Sequence, residues 1–291
     1  MRVVVIGQSG QLALSLAETV PAGVELVCLG HSGLDIASPA ITFDVLTAHK
    51  PDILINASAY TAVDKAEKDP ETAFALNARG PARLAEYAAE CGIPLIHIST
   101  DYVFDGTASR PYVEDDTPAP LNVYGHSKLE GERAIASVLP NHIIVRTSWL
   151  FSAYGSNFVK TMLSRGREVE NLRIVADQRG RPTSARELAR IIWVIADRIA
   201  ERAGTASLWG IYHYADAGEA SWADIAEAIF ASPEARLERA PQIQRITTDD
   251  YPTPARRPRY SVLDSTKIES VFNIRPRPWT ASLRDVLQKI R

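Results

Sequence analysis

Tyr124 and Lys128, in the string YGHSK, open a stretch that continues LEGERAIA. The i, i+4 spacing places a phenol and an ammonium on one helix face. A fixed positive charge beside a phenol lowers its pKa, so the tyrosine can trade a proton near neutral pH. The lysine can also hydrogen-bond a ribose. This chemistry suits a carbonyl that takes up hydride, and it needs a hydroxyl to polarise that carbonyl. Ser99 and Thr100 stand at the end of an apolar run in HISTDYVF. They point opposite ways if the strand stays extended. Thr100 is expected to face the carbonyl, with Asp101 orienting it or accepting from a substrate hydroxyl.

A reductase also needs a hydride donor, and the N-terminus offers a place for one. The run Val3 to Ile6 reads as a strand and leads into Gly7, Gly10, Gln11, Leu12 and Ala13, spaced G-x-x-G-x-x-A. Glycines there permit a tight turn and let backbone amides approach a pyrophosphate at a helix N-terminus. The next strand ends in Leu29-Gly30-His31-Ser32, without the carboxylate that would bind the ribose 2′-hydroxyl of NAD. Asp35, a few residues on, lies near an adenine or caps a turn. NADPH is therefore expected to serve at least as well as NADH.

The elements that must hold these residues alternate. Val24 to Leu29, Asp52 to Asn56, Pro94 to Ser99 and His142 to Thr147 are short apolar runs of strand length. Alanine-rich, charge-bearing segments such as Thr72 to Glu90 separate them and suit helices. Continuous apolar strands imply burial on both faces, hence an α/β fold with a doubly wound parallel sheet of Rossmann type. After about Trp149 helices dominate, around Asn157 to Arg165, Ala185 to Arg202 and Ser221 to Phe230, with a short strand at Ile211 to Ala215. The pattern predicts a dinucleotide-binding domain over 1–150. A smaller substrate lobe follows over 151–291, whose pieces cross back. YPTPARRPRYSVLD, from Tyr251, is too rich in proline for a helix and reads as an ordered surface loop.

Composition narrows the class. A net charge of −3 over 291 residues argues against a nucleic-acid partner. No apolar stretch reaches the roughly 18 residues of a membrane span, and the N-terminal run is too short for a signal peptide. Cys28 and Cys91 stand alone, as buried thiols of a reduced, cytoplasmic protein would.

The blocks GQSGQLA, PDILINASAYTAVDKAE, STDYVFDG, PLNVYGHSKLEGE, VRTSWLF, NFVKTML, DQRGRPT and YPTPARRP, in that order, resemble the extended short-chain dehydrogenase/reductases. Within that family the likeness is to reductases of dTDP-linked 4-keto-6-deoxy sugars, and it covers nearly the whole chain. It implies NAD(P)H-dependent reduction at C4 of dTDP-4-dehydro-L-rhamnose, with Tyr124 giving the proton and Lys128 supporting it. Thr100, Asp101 and Trp149 would contact the sugar. Gly10, Gln11 and Leu12 would line the pyrophosphate turn, Asp35 and Ile36 the adenine, and Ala57, Ser58 and Ala59 the nicotinamide side. Arg256 and Arg257 supply cationic forks suited to a diphosphate, or else plain surface charge. Asn157 and Gln178 can read polar edges of the substrate or simply hold loops. Some members bind magnesium between subunits. Ser15 stands at one ligand position and leaves Glu187 alone, so no metal is expected, and a monomer or weak homodimer follows. The rivals are a reductase making another 4-epimer such as dTDP-6-deoxy-L-talose, an epimerase or dehydratase, and a non-catalytic reductase-like regulatory subunit.

Overall fold

A computed structural model of the chain describes residues 1–38, 43–201 and 208–290. The first half alternates strands and helices. β1 (Arg2–Ile6), α1 (Gln11–Glu18), β2 (Glu25–Leu29), α2 (Asp44–His49) and β3 (Ile53–Asn56) come first. α3 (Val63–Ala66), α4 (Pro70–Phe74), α5 (Gly80–Cys91), β4 (Leu95–Thr100), α6 (Val123–Val138) and β5 (His142–Thr147) follow. The second half begins with β6 (Leu150–Phe151), α7 (Phe158–Glu168), β7 (Asn171–Val175), β8 (Arg179–Gly180), β9 (Thr183–Ser184) and α8 (Ala185–Ala200). It ends with β10 (Gly210–His213), β11 (Ala220–Ser221), α9 (Trp222–Ala231), β12 (Gln242–Ile246), α10 (Thr266–Phe272) and α11 (Trp279–Lys289).

Six of these strands form one parallel sheet in the order β2-β1-β3-β4-β5-β10. The runs that lack alternation in sequence are buried on both sides. Val3, Val5, Ile53, Ile55 and Ile96 face a core completed by Leu16, Leu188, Ile192 and Ile195 of α1 and α8. Their neighbours Val4, Ile6, Leu54 and Leu95 face a second core with Leu84 and Ala88 of α5 and Ile135 of α6. Burying one such side chain contributes about 1.5–3 kcal/mol, so burial on both faces holds each strand between the two helix layers. A third core joins α7, α9 and α11 through Val159, Leu163, Ile225, Ile229, Leu283 and Leu287.

The chain thus returns after residue 184, through α8 and β10, to finish the first sheet. Because β2 lies on one side of β1 and β3 on the other, the strand order reverses between β1 and β3. Ligand crevices open at the carboxyl ends of such strands.

The expected helix from Thr72 to Glu90 is interrupted: a π-helical turn, Ala75–Arg79, separates α4 from α5. Asn77 in that turn bonds the backbone of Tyr60 in both directions, at 2.8 and 3.0 Å, and donates to Ser127 Oγ at 3.0 Å. The expected strand at Ile211 to Ala215 begins and ends earlier, as β10. α8 ends at Ala200, and Arg202 lies outside the described residues. No helix among the described residues is long and apolar enough to cross a membrane.

Candidate active site

A cleft of about 770 Å³ runs along the carboxyl edge of the sheet. Gly7 leaves β1 at φ +128°, a conformation that favours glycine, and a Cβ there would stand 3.4 Å from the Ala57 backbone. Gly10 precedes α1 and no side chain caps that helix, so its first-turn amides are open to an anion. Gln11, Leu12, Asp35, Ile36, Ala57, Ser58 and Ala59 line the same cleft. A nicotinamide dinucleotide fits this donor set, because small side chains and bare backbone stand where a pyrophosphate and ribose must pass. Asp35 accepts from the Ala37 amide at 3.0 Å and sits 3.4 Å from His31, beyond the end of β2.

Thr100, Asp101, Tyr124 and Lys128 line the cleft beyond the turn. α6 brings its two residues there because Asn122 caps it, accepting from the Gly125 amide at 2.8 Å. Two glycines let the helix lie close: a Cβ on Gly125 would stand 2.2 Å from the Tyr102 carbonyl, and one on Gly131 2.1 Å from that of Asn77. The Tyr124 hydroxyl is within hydrogen-bonding reach of the Thr100 side chain. Thr100 Oγ1 in turn donates to Asp101 Oδ1 at 3.1 Å and accepts from the Tyr102 amide at 3.2 Å. Thr100 is therefore the hydroxyl on the tyrosine side, while Ser99 Oγ is buried without a protein partner.

The ammonium does not lower the phenol as expected. Removal of water pushes Tyr124 up to about 12, against the opposing Thr100 bond. Lys128 is engaged elsewhere. Its Nζ donates to the Ile98 carbonyl at 2.6 Å and lies 3.1 Å from His97 Nε2. Burial pushes Lys128 down to about 8 and His97 well below its ordinary value.

Sequence reasoning missed His97 and Asn56. Ser58 donates to Asn56 Oδ1 through both its amide and its hydroxyl, so the Asn56 NH₂ faces His97 Nδ1 at 3.1 Å. The other ring nitrogen, Nε2, faces Lys128. The signal was present: a histidine inside the apolar strand LIHIST and an asparagine closing DILIN.

Trp149 lines the cleft with a left-handed backbone, φ 48°, and stacks on Trp222 at 3.8 Å between ring centroids. Asn157 reaches the cleft wall but spends its amide on structure. It caps α7 and donates to Gln11 Oε1, Ser152 O and Tyr154 O. Gln178 is not brought to the cleft; it accepts from Trp222 Nε1 at 3.0 Å and donates to Thr248 at 3.1 Å. Arg256 is exposed on a neighbouring cleft of about 530 Å³, built on Asp105–Thr107 and the proline-rich loop. Arg257 makes a two-pronged ion pair with Asp64, at 2.7 and 3.1 Å, that straps this loop to the first half. The Ser15 hydroxyl donates to the Gln11 carbonyl, and Glu187 pairs with Arg190 at 2.9 Å and Arg277 at 3.6 Å.

The family described as RmlD substrate binding domain matches residues 1–291. The chain belongs to that family. It is 46% identical over 284 residues to a dTDP-4-dehydrorhamnose reductase of Sinorhizobium fredii, covering 98% of this chain and 96% of the other. A dTDP-4-dehydrorhamnose reductase structure from Clostridium acetobutylicum superposes with a TM-score of 0.91 at 36% identity, over 99% and 98% of the two chains. One from Bacillus anthracis, in complex with NADP, gives 0.89 at 34% identity over 98% of each.

Proposed function

We propose that this chain is an NADPH-dependent reductase of the C4 keto group of dTDP-4-dehydro-L-rhamnose, forming dTDP-L-rhamnose. One observation carries the reading. The Tyr124 hydroxyl meets Thr100 at the end of β4, in the same cleft as the glycine turn. When bound, the reduced nicotinamide supplies the hydride. The protein's residues do the rest. Tyr124 gives its proton to the sugar O4 as that oxygen gains charge, and Thr100 holds the oxygen in place. Lys128 is anchored by His97 and Ile98 and adds a positive field. Trp149, braced by Trp222, offers an aromatic wall to the sugar, and Arg256 meets the diphosphate. Residues 1–150 hold the cofactor, and most of 151–291 closes over the sugar.

Incubation with the dTDP-4-keto-6-deoxy-L-sugar and NADPH tests this directly. One NADPH should be consumed per product, and NMR should show the rhamno configuration at C4. A talo product would move the reading to the other 4-epimer. Absence of net NADPH consumption would favour an epimerase or a regulatory subunit. NADPH should support kcat/KM at least equal to that with NADH, since no carboxylate closes β2; a large preference for NADH would count against that.

A further inference from the structure

Asn122 uses both ends of its side-chain amide, and only one end serves α6. Its oxygen caps the helix by accepting from the Gly125 amide at 2.8 Å. Its nitrogen donates to the Arg256 carbonyl at 2.7 Å, across 134 residues of chain. Water does not compete for these bonds, since Asn122 is 4% exposed. A cap needs only the oxygen, which aspartate or serine would supply as well. Among good capping residues, asparagine alone sets an acceptor and an N–H on two separate atoms that can face two partners. The residue type is thus explained by the bond to the loop.

That loop is braced as one body. Pro252, Pro254 and Pro258 fix their φ angles. Pro258 packs on Gly106, where a Cβ would stand 2.6 Å from its ring. The Ala255 amide donates to Asp64 at 3.2 Å, beside the Arg257 fork on the same carboxylate. Glu67, at the end of α3, accepts from the Val123 amide at 2.8 Å, so α3 holds both the loop and the first turn of α6. Arg256 itself is exposed on the cleft of about 530 Å³. Whatever its guanidinium grips therefore loads a residue whose carbonyl is bonded to the N-cap of the catalytic helix, two residues before Tyr124.

We infer that Asn122 is a positioning residue through which the diphosphate held by Arg256 fixes the placement of Tyr124. It lines neither cleft, so it acts on the reaction only through the two parts that it joins. Small displacements of a reacting group cost large rate factors, and contacts to remote parts of a substrate can hold that group in place. The nucleotide end of the substrate then raises the rate at C4 as well as the affinity.

This rests on the reductase reading, with Arg256 at the diphosphate, and its test separates the two. Asn122→Asp keeps a capping oxygen but sets a carboxylate against the Arg256 carbonyl; Asn122→Ser keeps the cap without the amide or the charge. With the dTDP-4-keto-6-deoxy-L-sugar and NADPH, each should lose kcat on the order of 10- to 100-fold. KM for the sugar, NADPH affinity and Tm should stay near wild type. Arg256→Ala should raise KM and also lower kcat. Either Asn122 variant combined with Arg256→Ala should turn over no more slowly than the slower of its two parents, because a loop without its grip has nothing to transmit. Losses in kcat that multiply would overturn the inference, since the two residues would then act separately. So would near-normal kcat in both Asn122 variants, or a loss in Asn122→Asp alone, which the added charge would explain. Parallel losses of kcat, NADPH affinity and Tm would reduce Asn122 to a structural cap, and an Arg256→Ala variant with unchanged kcat and KM would remove the grip itself. If wild type consumes no NADPH with this sugar, the reductase reading fails and the inference falls with it. Turnover by wild type with multiplying losses refutes the coupling alone.

Discussion

Tyr124 is a poor acid where it stands, and that suits a group that must hold its proton until the substrate oxygen becomes basic. Replacing it with phenylalanine should cut kcat about 10²–10⁴-fold while KM and NADPH binding stay near normal; near-normal turnover would remove it from the chemistry. Trp149 is held from two sides, by its stack on Trp222 and by the missing side chain of Gly180. A Cβ on Gly180 would stand 2.6 Å from the Trp149 ring. Gly180→Ala should strain the pair by about 1–3 kcal/mol, raising KM for the sugar and leaving NADPH affinity unchanged. Equal loss for both ligands would show that Trp149 serves only packing. At this scale the sequence named Thr100, Tyr124 and Lys128 because a Tyr/Lys pair, common by itself, follows a strand-end hydroxyl and a glycine turn at the right distance. It did not resolve Asn157 and Gln178, since an amide serves a loop and a ligand with the same atoms. It hid His97, which reads as strand interior until its neighbours across the sheet are known.

α6 is the element on which the site depends, and it repeats its inward residues every fourth position: Tyr124, Lys128, Glu132. Glu132 pairs with Arg146 of β5 at 2.6 and 2.9 Å, and the two are 2% and 1% exposed. Phe104 lies over the guanidinium at 5.2 Å, and His213 approaches it at 3.4 Å. Burial and the Arg146 charge hold His213 down to about 3, so it stays neutral and cannot take over Glu132's role. Glu132→Ala should therefore cost about 3–5 kcal/mol, because it strands a buried cation. Urea unfolding measures this, and a loss below about 1 kcal/mol, the scale of a surface pair, would show that the pair does not hold α6 to β5. The helix itself was legible from YGHSK onward. The π turn that receives it was not, because the alanine-rich pattern runs unbroken through Ala75–Arg79 and only the Asn77 contacts reveal the wider turn.

Across the whole molecule the strands were legible as apolar runs and a crossing back was expected, whereas which elements return, α8 and β10, depends on contacts far apart in sequence. Asp216 sits where that return meets the third core. It accepts from the Ser184 amide just before α8 at 3.2 Å and from Tyr214 at 3.1 Å, and it lies against Ser282 of α11. Burial outweighs these bonds and pushes it up to about 7 from an ordinary 3.8. Between those values the folded chain holds a proton that the unfolded chain has released. Stability must then fall as pH rises, by up to about 1.4 kcal/mol per pH unit, with the loss complete above the folded pKa. Asp216→Asn cannot ionise and escapes that loss, although it exchanges an acceptor for a donor and starts with a packing cost. The Tm of Asp216→Asn relative to wild type should accordingly rise between pH 5 and pH 8, whatever its sign at pH 5. A constant difference across that range would mean that Asp216 is already ionised in the folded protein, with its hydrogen bonds outweighing the burial that surrounds it.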